Sequence, residues 1–182
     1  MKNQQIIRVA FLGAPSTGKT SLCKALAAKY QTVWMPEYGR EYWMEHQQDR
    51  RLSPEQLVEI AEGHIERENR LAEQAGRFLF VDTEAIVTYH YALDYHGEAH
   101  PRLEELARKA EKRYDLFFLC AADIPYDDTW ERSGKQHRAT FQKRLHDDLV
   151  KRNVAFIGLH GNFEHRFAIV TAIVEKFEKM KS

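Results

Sequence analysis

Eight residues near the N-terminus constrain this chain more than anything else in it: Gly13-Ala14-Pro15-Ser16-Thr17-Gly18-Lys19-Thr20, a G-x-x-x-x-G-K-T run without a mismatch. An apolar stretch, Ile6–Leu12, ends at the first glycine. A helical pattern with Leu22, Leu26 and Tyr30 on one face begins near the second. A buried strand, a glycine-rich turn and a helix, in that order, make a cradle for phosphate. The glycines let backbone N–H groups turn inward around a β-phosphate, and the helix N-terminus adds a fixed partial positive charge. Lys19 is the candidate to neutralise β- and γ-oxygens, and the Thr20 hydroxyl to ligate Mg²⁺. Gly13 to Thr20, with Ser21 beside them, are the candidate nucleotide-binding residues.

The rest of the chain predicts the scaffold that such a loop needs. Five short apolar runs, Ile6–Leu12, Thr32–Met35, Phe78–Val81, Leu116–Cys120 and Val154–Leu159, are near-continuous rather than alternating, as in strands buried on both faces of a parallel sheet. Helical patterns lie between them. Ser53-Pro54-Glu55-Gln56 is a helix start, with Ser as N-cap, Pro at the first helical position and Gln at the capping-box position. Leu57, Ile60, Ala61 and His64 then form one stripe, and Leu103, Leu106, Ala107 and Ala110 another. Phe163, Phe167, Val170, Val174 and Phe177 mark the last helix. Alternating strands and helices imply an α/β fold, a five-stranded parallel sheet with helices on both faces.

At 182 residues the chain matches one domain at roughly 150 residues each, with no repeat or linker to divide it. The 43% hydrophobic and 30% charged composition is that of a globular protein. The 27 basic residues balance 27 acidic ones, so neither nucleic acid nor a membrane surface is an expected partner. No apolar run approaches the ~20 residues of a membrane span, and no signal peptide precedes the first strand; the expected location is the cytoplasm. Cys23 and Cys120 sit in apolar surroundings and read as small buried hydrophobes. His90, His96 and His100 are spaced six and then four residues apart, which makes no three-ligand metal set.

Three further segments carry candidate chemistry. Phe78-Leu79-Phe80-Val81-Asp82 is an apolar strand ending in an acid, which places Asp82 near the metal. Glu84 has two readings: a further acid of the site, or an early-turn acid favoured by the helix dipole. Met35-Pro36-Glu37-Tyr38-Gly39-Arg40-Glu41-Tyr42-Trp43 follows the second strand, where α/β proteins place ligands. Glu37 is the candidate carboxylate to orient an attacking hydroxyl and take its proton, from a strand expected beside that of the phosphate loop. Arg40 is a candidate to hold a phosphate or sugar oxygen; the alternative is a Glu37–Arg40 ion pair. Tyr38, Tyr42 and Trp43 are rings available for stacking. Ala122 to Arg138 is polar, broken by Pro and Gly, and cation-rich. It reads as a lid over about 123–138, whose Arg132 and Arg138 would close over a transferring phosphoryl group, or else as a solvated loop.

Together these residues are similar to the ribosylnicotinamide kinase domain of the NadR-type NAD-biosynthesis proteins, within the P-loop kinases. The resemblance rests on the P-loop, the Glu37–Glu41 block Glu-Tyr-Gly-Arg-Glu, the pair Gly63-His64, the strand end Asp82-Thr83-Glu84, Gly97–Pro101, Asp127–Arg132 and Arg138–Phe141. It runs in order from about Ile6 to Phe177. The residue before the Glu-Tyr-Gly-Arg-Glu block, an aromatic in some members, is Pro36. The resemblance implies a five-stranded nucleotide-kinase-like fold and ATP-dependent phosphorylation of the ribose 5′-hydroxyl of nicotinamide riboside. It places ATP on Gly13–Thr20 and the nucleoside near Glu37, Arg40 and Asp82; Tyr38 and Glu84 are further candidate substrate residues. The adenylyltransferase and helix-turn-helix modules that members often carry upstream have no counterpart in this sequence, so adenylyl transfer and repression are not expected. Two other functions stay open. One is a kinase for another nucleoside or a nucleoside monophosphate, with Arg40, Arg67 and Arg70 as a phosphate clamp. The other is a P-loop ATPase switch without a small-molecule acceptor. The sequence leaves the oligomeric state open.

Overall fold

The structure, a computed structural model, describes residues 5–125 and 134–181. Five parallel strands, β1 (Ile7–Leu12), β2 (Trp34–Met35), β3 (Phe78–Asp82), β4 (Leu116–Cys120) and β5 (Ile157–Leu159), lie in the order β2-β3-β1-β4-β5. The helices between them are α1 (Lys19–Lys29), α2 (Tyr38–His46), α3 (Pro54–Ala72), α4 (Ala85–His96), α5 (Pro101–Ala110), α6 (Gly134–Lys151) and α7 (Phe163–Lys181).

The near-continuous apolar runs have a direct cause. Successive side chains of a strand point to opposite faces, and both faces here are covered. Ala10, Leu12, Leu79, Val81 and Leu119 join one buried cluster with Leu57, Ile60, Leu103 and Phe141 from α3, α5 and α6. Val9, Phe11, Phe78, Phe80 and Phe118 join the other with Leu22 and Leu26 of α1 and Val170 and Val174 of α7. Phe11 stacks on Phe118 at 5.4 Å between ring centres. Cys23 and Cys120 are free and buried. The Ser53 capping box is formed in full: Ser53 Oγ accepts from Gln56 N at 3.2 Å and Gln56 Oε1 from Ser53 N at 2.9 Å.

Four expectations are corrected. The second run supplies only Trp34–Met35 as strand, because Thr32 is tied into a loop, its Oγ1 donating to Phe78 O and accepting from Gly76 N. The fifth supplies only Ile157–Leu159, because Val154 N donates to Leu149 O and closes the end of α6. β2 does not lie beside β1; β3 is between them. Phe163 is 40% exposed although it falls on the apolar stripe of α7, because it opens that helix, where its ring stacks on Phe167. Among the described residues no helix is long and apolar enough to cross a membrane.

Candidate active site

The loop between β1 and α1 has the geometry its sequence demands. Gly13 has φ 144°, and a Cβ there would lie 2.7 Å from Cys120 O, so only glycine fits. Gly18 (φ 83°) is the N-cap of α1. Lys19 turns back over the loop, its Nζ donating to Gly13 O and Ala14 O at 3.0 Å each. Thr17 Oγ1 donates to Ala14 O at 2.9 Å. Gln142 of α6 closes the far side, accepting from Ala14 N at 2.8 Å and donating to Cys120 O at 3.1 Å.

β3 brings Asp82 level with Phe11, one strand over from the loop. Thr20 Oγ1 donates to Asp82 Oδ2 at 2.5 Å, so the two candidate metal ligands are adjacent. A hydroxyl beside one carboxylate fits Mg²⁺, which keeps several waters and takes most other ligands from substrate phosphates. Among the described residues no three acids, histidines or cysteines form a fuller metal cage. The next residue, Thr83, is β-branched yet has φ 69°, a strained conformation of the kind held at functional sites. The kink leaves Asp82 facing the loop and turns Glu84 inward. Glu84 is therefore not at the cleft surface, contrary to its place among the candidate substrate residues. It is 1% exposed and caps α4, accepting from Ile86 N at 2.9 Å, with Oε1 unpartnered. Burial pushes its carboxyl up to about 8.

The loop opens into a cleft of about 400 Å³. Pro15, Ser16, Thr17, Gly18, Lys19, Thr20 and Ser21 line it, together with Glu37, Tyr38, Arg40, Trp43, Leu52, Leu57, Ile60, His64, Thr83, Thr88, Tyr91 and Tyr95. Glu37 is the N-cap residue of α2, so the helix start brings the acidic block to the cleft. Gly63 makes room for Tyr38: a Cβ at Gly63 would lie 2.7 Å from the Tyr38 ring. Burial raises the pKa of the Tyr95 phenol. His64 is both a core and a cleft residue. It is 5% exposed, and its Nε2 lies 3.5 Å from Glu68 Oε2. Glu68 is fully buried and also accepts from Arg8 (2.6 Å), Arg113 (3.1 Å) and Tyr114 (2.7 Å). Burial alone would raise its carboxyl; the nearby His64 imidazole, the Arg113 charge and the hydrogen bond from Tyr114 outweigh that and hold it at about 2.

The other candidates go elsewhere. Tyr42 leaves the cleft to stack on His46 and donate to Glu59. Arg67 pairs with Glu41 at 2.6 Å and Arg70 with Glu66 at 3.1 Å. The residues expected to end the lid already belong to α6, which starts at Gly134. Arg138 is 4% exposed and donates to Ser16 O at 2.9 Å and Ile124 O at 3.2 Å, two residues that line the cleft. Arg132 lies outside the described residues. His90 donates to Asp148, His96 to Leu52 O, and His100 caps α5. The sequence reading missed Leu52, Thr88, Tyr91 and Tyr95 as cleft residues. Tyr91 and Tyr95 are four apart on one helix face, the signal that would have paired them.

A parallel five-stranded sheet with a G-x-x-x-x-G-K-T loop at the end of a central strand and an acid ending the next strand defines a P-loop, nucleotide-kinase-like domain. The chain belongs to the AAA domain family, which matches residues 8–166. It is 28% identical over 173 residues to the trifunctional NAD biosynthesis/regulator protein NadR of Salmonella typhimurium, a match covering 92% of this chain and 42% of that protein. The chain thus spans less than half the length of this curated relative. It superposes on NadR in complex with NR with a TM-score of 0.76 at 23% identity, over 96% of this chain and 52% of the other. On NadR in complex with NAD and AMP-PNP the TM-score is 0.74 at 25% identity, over 96% and 50%.

Proposed function

We propose that this chain transfers the γ-phosphoryl group of ATP to the ribose 5′-hydroxyl of nicotinamide riboside, giving nicotinamide mononucleotide and ADP. The observation that carries the reading is that one cleft is lined both by the phosphate loop and by Glu37, Tyr38 and Arg40 with a set of rings and aliphatic side chains. Trp43, Tyr91 and Tyr95 are among the residues lining it, and aromatic rings suit a cationic pyridinium ring. They also supply the aromatic surface that Pro36, at the start of the block, cannot. The relationship to NadR, one structure of which contains NR, points to the same acceptor.

In this reading Gly13–Ser21 hold the ATP phosphates through backbone N–H groups. Lys19 moves from the Gly13 and Ala14 carbonyls to the β/γ-oxygens. Thr20 and Asp82 would hold Mg²⁺, which would supply positive charge against that developing on the phosphates. Arg40 and Tyr38 orient the ribose. Glu37 accepts the 5′-hydroxyl proton as oxygen bonds to the γ-phosphorus and the bond to the β–γ bridging oxygen breaks. Arg132, in the cation-rich segment before α6, acts as a lid cation. The domain comprises residues 1–182, with the lid ahead of α6.

A monophosphate kinase is disfavoured by the engagement of Arg67 and Arg70 in ion pairs, which leaves Arg40 alone of that clamp at the cleft. An ATPase switch has no use for the ring-lined chamber. The test is a panel of nucleosides and nucleoside monophosphates with ATP and Mg²⁺, read as ADP release. ADP release should depend on the added nucleoside and be fastest with nicotinamide riboside. Turnover that ignores every acceptor would overturn the kinase reading, and preference for a monophosphate would overturn the acceptor.

A further inference from the structure

By volume Arg166 is the largest fully buried side chain among the described residues. It sits on the inner face of α7, one turn before Val170, where an apolar residue would be expected. A buried guanidinium persists only where its donors are satisfied, and here one group ties three segments together. Nη1 donates to Thr17 O at 2.7 Å, Nε to Gly161 O at 2.9 Å and Nη2 to Ala121 O at 3.1 Å. Nη2 also pairs with Asp123, whose other oxygen accepts from Gly161 N at 2.8 Å. The phosphate loop, the chain leaving β4 and the turn after β5 thus share one anchor.

The bond to Thr17 bears on nucleotide binding. In a trans peptide the C=O and N–H point opposite ways. A Thr17 carbonyl drawn toward α7 directs the Gly18 N–H to the other side, where Gly18 lines the cleft. Arg138 holds the preceding carbonyl, Ser16 O, in the same manner. We propose that Arg166 is a positioning residue for nucleotide binding, aiming the Gly18 N–H at the β-phosphate by holding the Thr17 carbonyl from behind the loop. Lysine cannot replace it, because a single ammonium lacks the planar fork that reaches several carbonyls at once.

The inference rests on the nucleotide reading of the loop but not on the identity of the acceptor. It is tested by calorimetric titration of the whole chain with ADP and with AMP, which lacks the β-phosphate. Arg166→Lys should weaken ADP binding at least ~10-fold while AMP affinity stays within about 2-fold, a selective loss that general damage to the fold would not produce. Asp123→Asn, at a half-exposed position, removes only the counter-charge and should show the same selectivity at about 3-fold. Unchanged ADP affinity, or equal losses for both ligands, would overturn the inference. If Arg166→Lys does not fold, Asp123→Asn decides by the same criterion. Wild-type protein that binds no ADP would overturn both proposals; ADP binding without nucleoside phosphorylation would overturn the proposed function alone.

Discussion

Lys19, Asp82 and Glu37 act on charge that develops at different places, so their losses should be separable. Removing one positioned electrostatic stabiliser typically costs ~3 kcal/mol at the transition state. Lys19→Ala and Asp82→Asn should each lower turnover at least ~100-fold in protein whose circular dichroism is unchanged. Near-normal activity in folded Lys19→Ala would remove the basis for the phosphate-loop reading. Glu37→Gln keeps the shape and removes the charge. It should lose most of kcat with nicotinamide riboside and leave ATP/Mg²⁺ affinity little changed, because Glu37 stands at the start of α2 while Thr20 and Asp82 pair with each other at the phosphate loop. Collapse of ATP affinity with kcat preserved would instead assign Glu37 to the metal and leave Asp82 as the base.

At the level of elements, the acceptor side depends on how closely α2 approaches α3. That approach is set at Gly63, mid-helix, where Ala would ordinarily stabilise by about 1 kcal/mol. Here a methyl group would meet the Tyr38 ring at 2.7 Å. The ring is at the end of a movable side chain, so it should swing rather than unfold the helix. Gly63→Ala should therefore shift Tm by less than about 4 °C, as propensity and contact oppose each other. It should raise KM for the acceptor ~10-fold, since small misplacements in a reacting complex are costly. A matching rise in KM for ATP would show that Tyr38 serves the phosphate side. The glycine and the stripe Leu57, Ile60, Ala61 and His64 were both legible along α3, but their service to Tyr38 was not: nothing local ties residue 63 to residue 38.

Across the whole molecule the buried Glu68 does for stability what the phosphate loop does for chemistry. It joins α3 to β1 through Arg8 and to the segment before β4 through Arg113 and Tyr114. Glu68→Gln leaves two cations facing a neutral amide, and breaking such a pair costs about 3–5 kcal/mol, near 10 °C in Tm for a chain of this size. The pH dependence has a definite sign. Glu68 titrates at about 2 when folded, against an ordinary 4.5, so below pH 4.5 the unfolded chain binds the extra proton. The stability it contributes is complete above about pH 4.5 and is lost as pH falls toward 2. Denaturation midpoints measured from pH 7 to pH 2.5 should decline more steeply for the wild type than for Glu68→Gln. Parallel declines would mean that Glu68 is not held ionised.

What the sequence determined by itself is the set of features written in short-range pattern. The phosphate loop, the Ser53 capping box, the parallel sheet read from doubly buried strands and the acid closing β3 all depend on residues a few positions apart, where backbone conformation and side-chain period act directly. What tertiary structure alone decided is who meets whom at the carboxyl edge of the sheet. The strand order put β3, not β2, beside the phosphate loop. The strained turn at Thr83 sent Glu84 into the interior, and α6 brought Arg138 onto the carbonyls of Ser16 and Ile124. Arg166 carried a faint local sign, a charge on an apolar stripe, but its partners at residues 17, 121, 123 and 161 come from three loops. A buried guanidinium finds its acceptors only after the sheet has brought those loop ends together, and no spacing along the chain encodes that meeting.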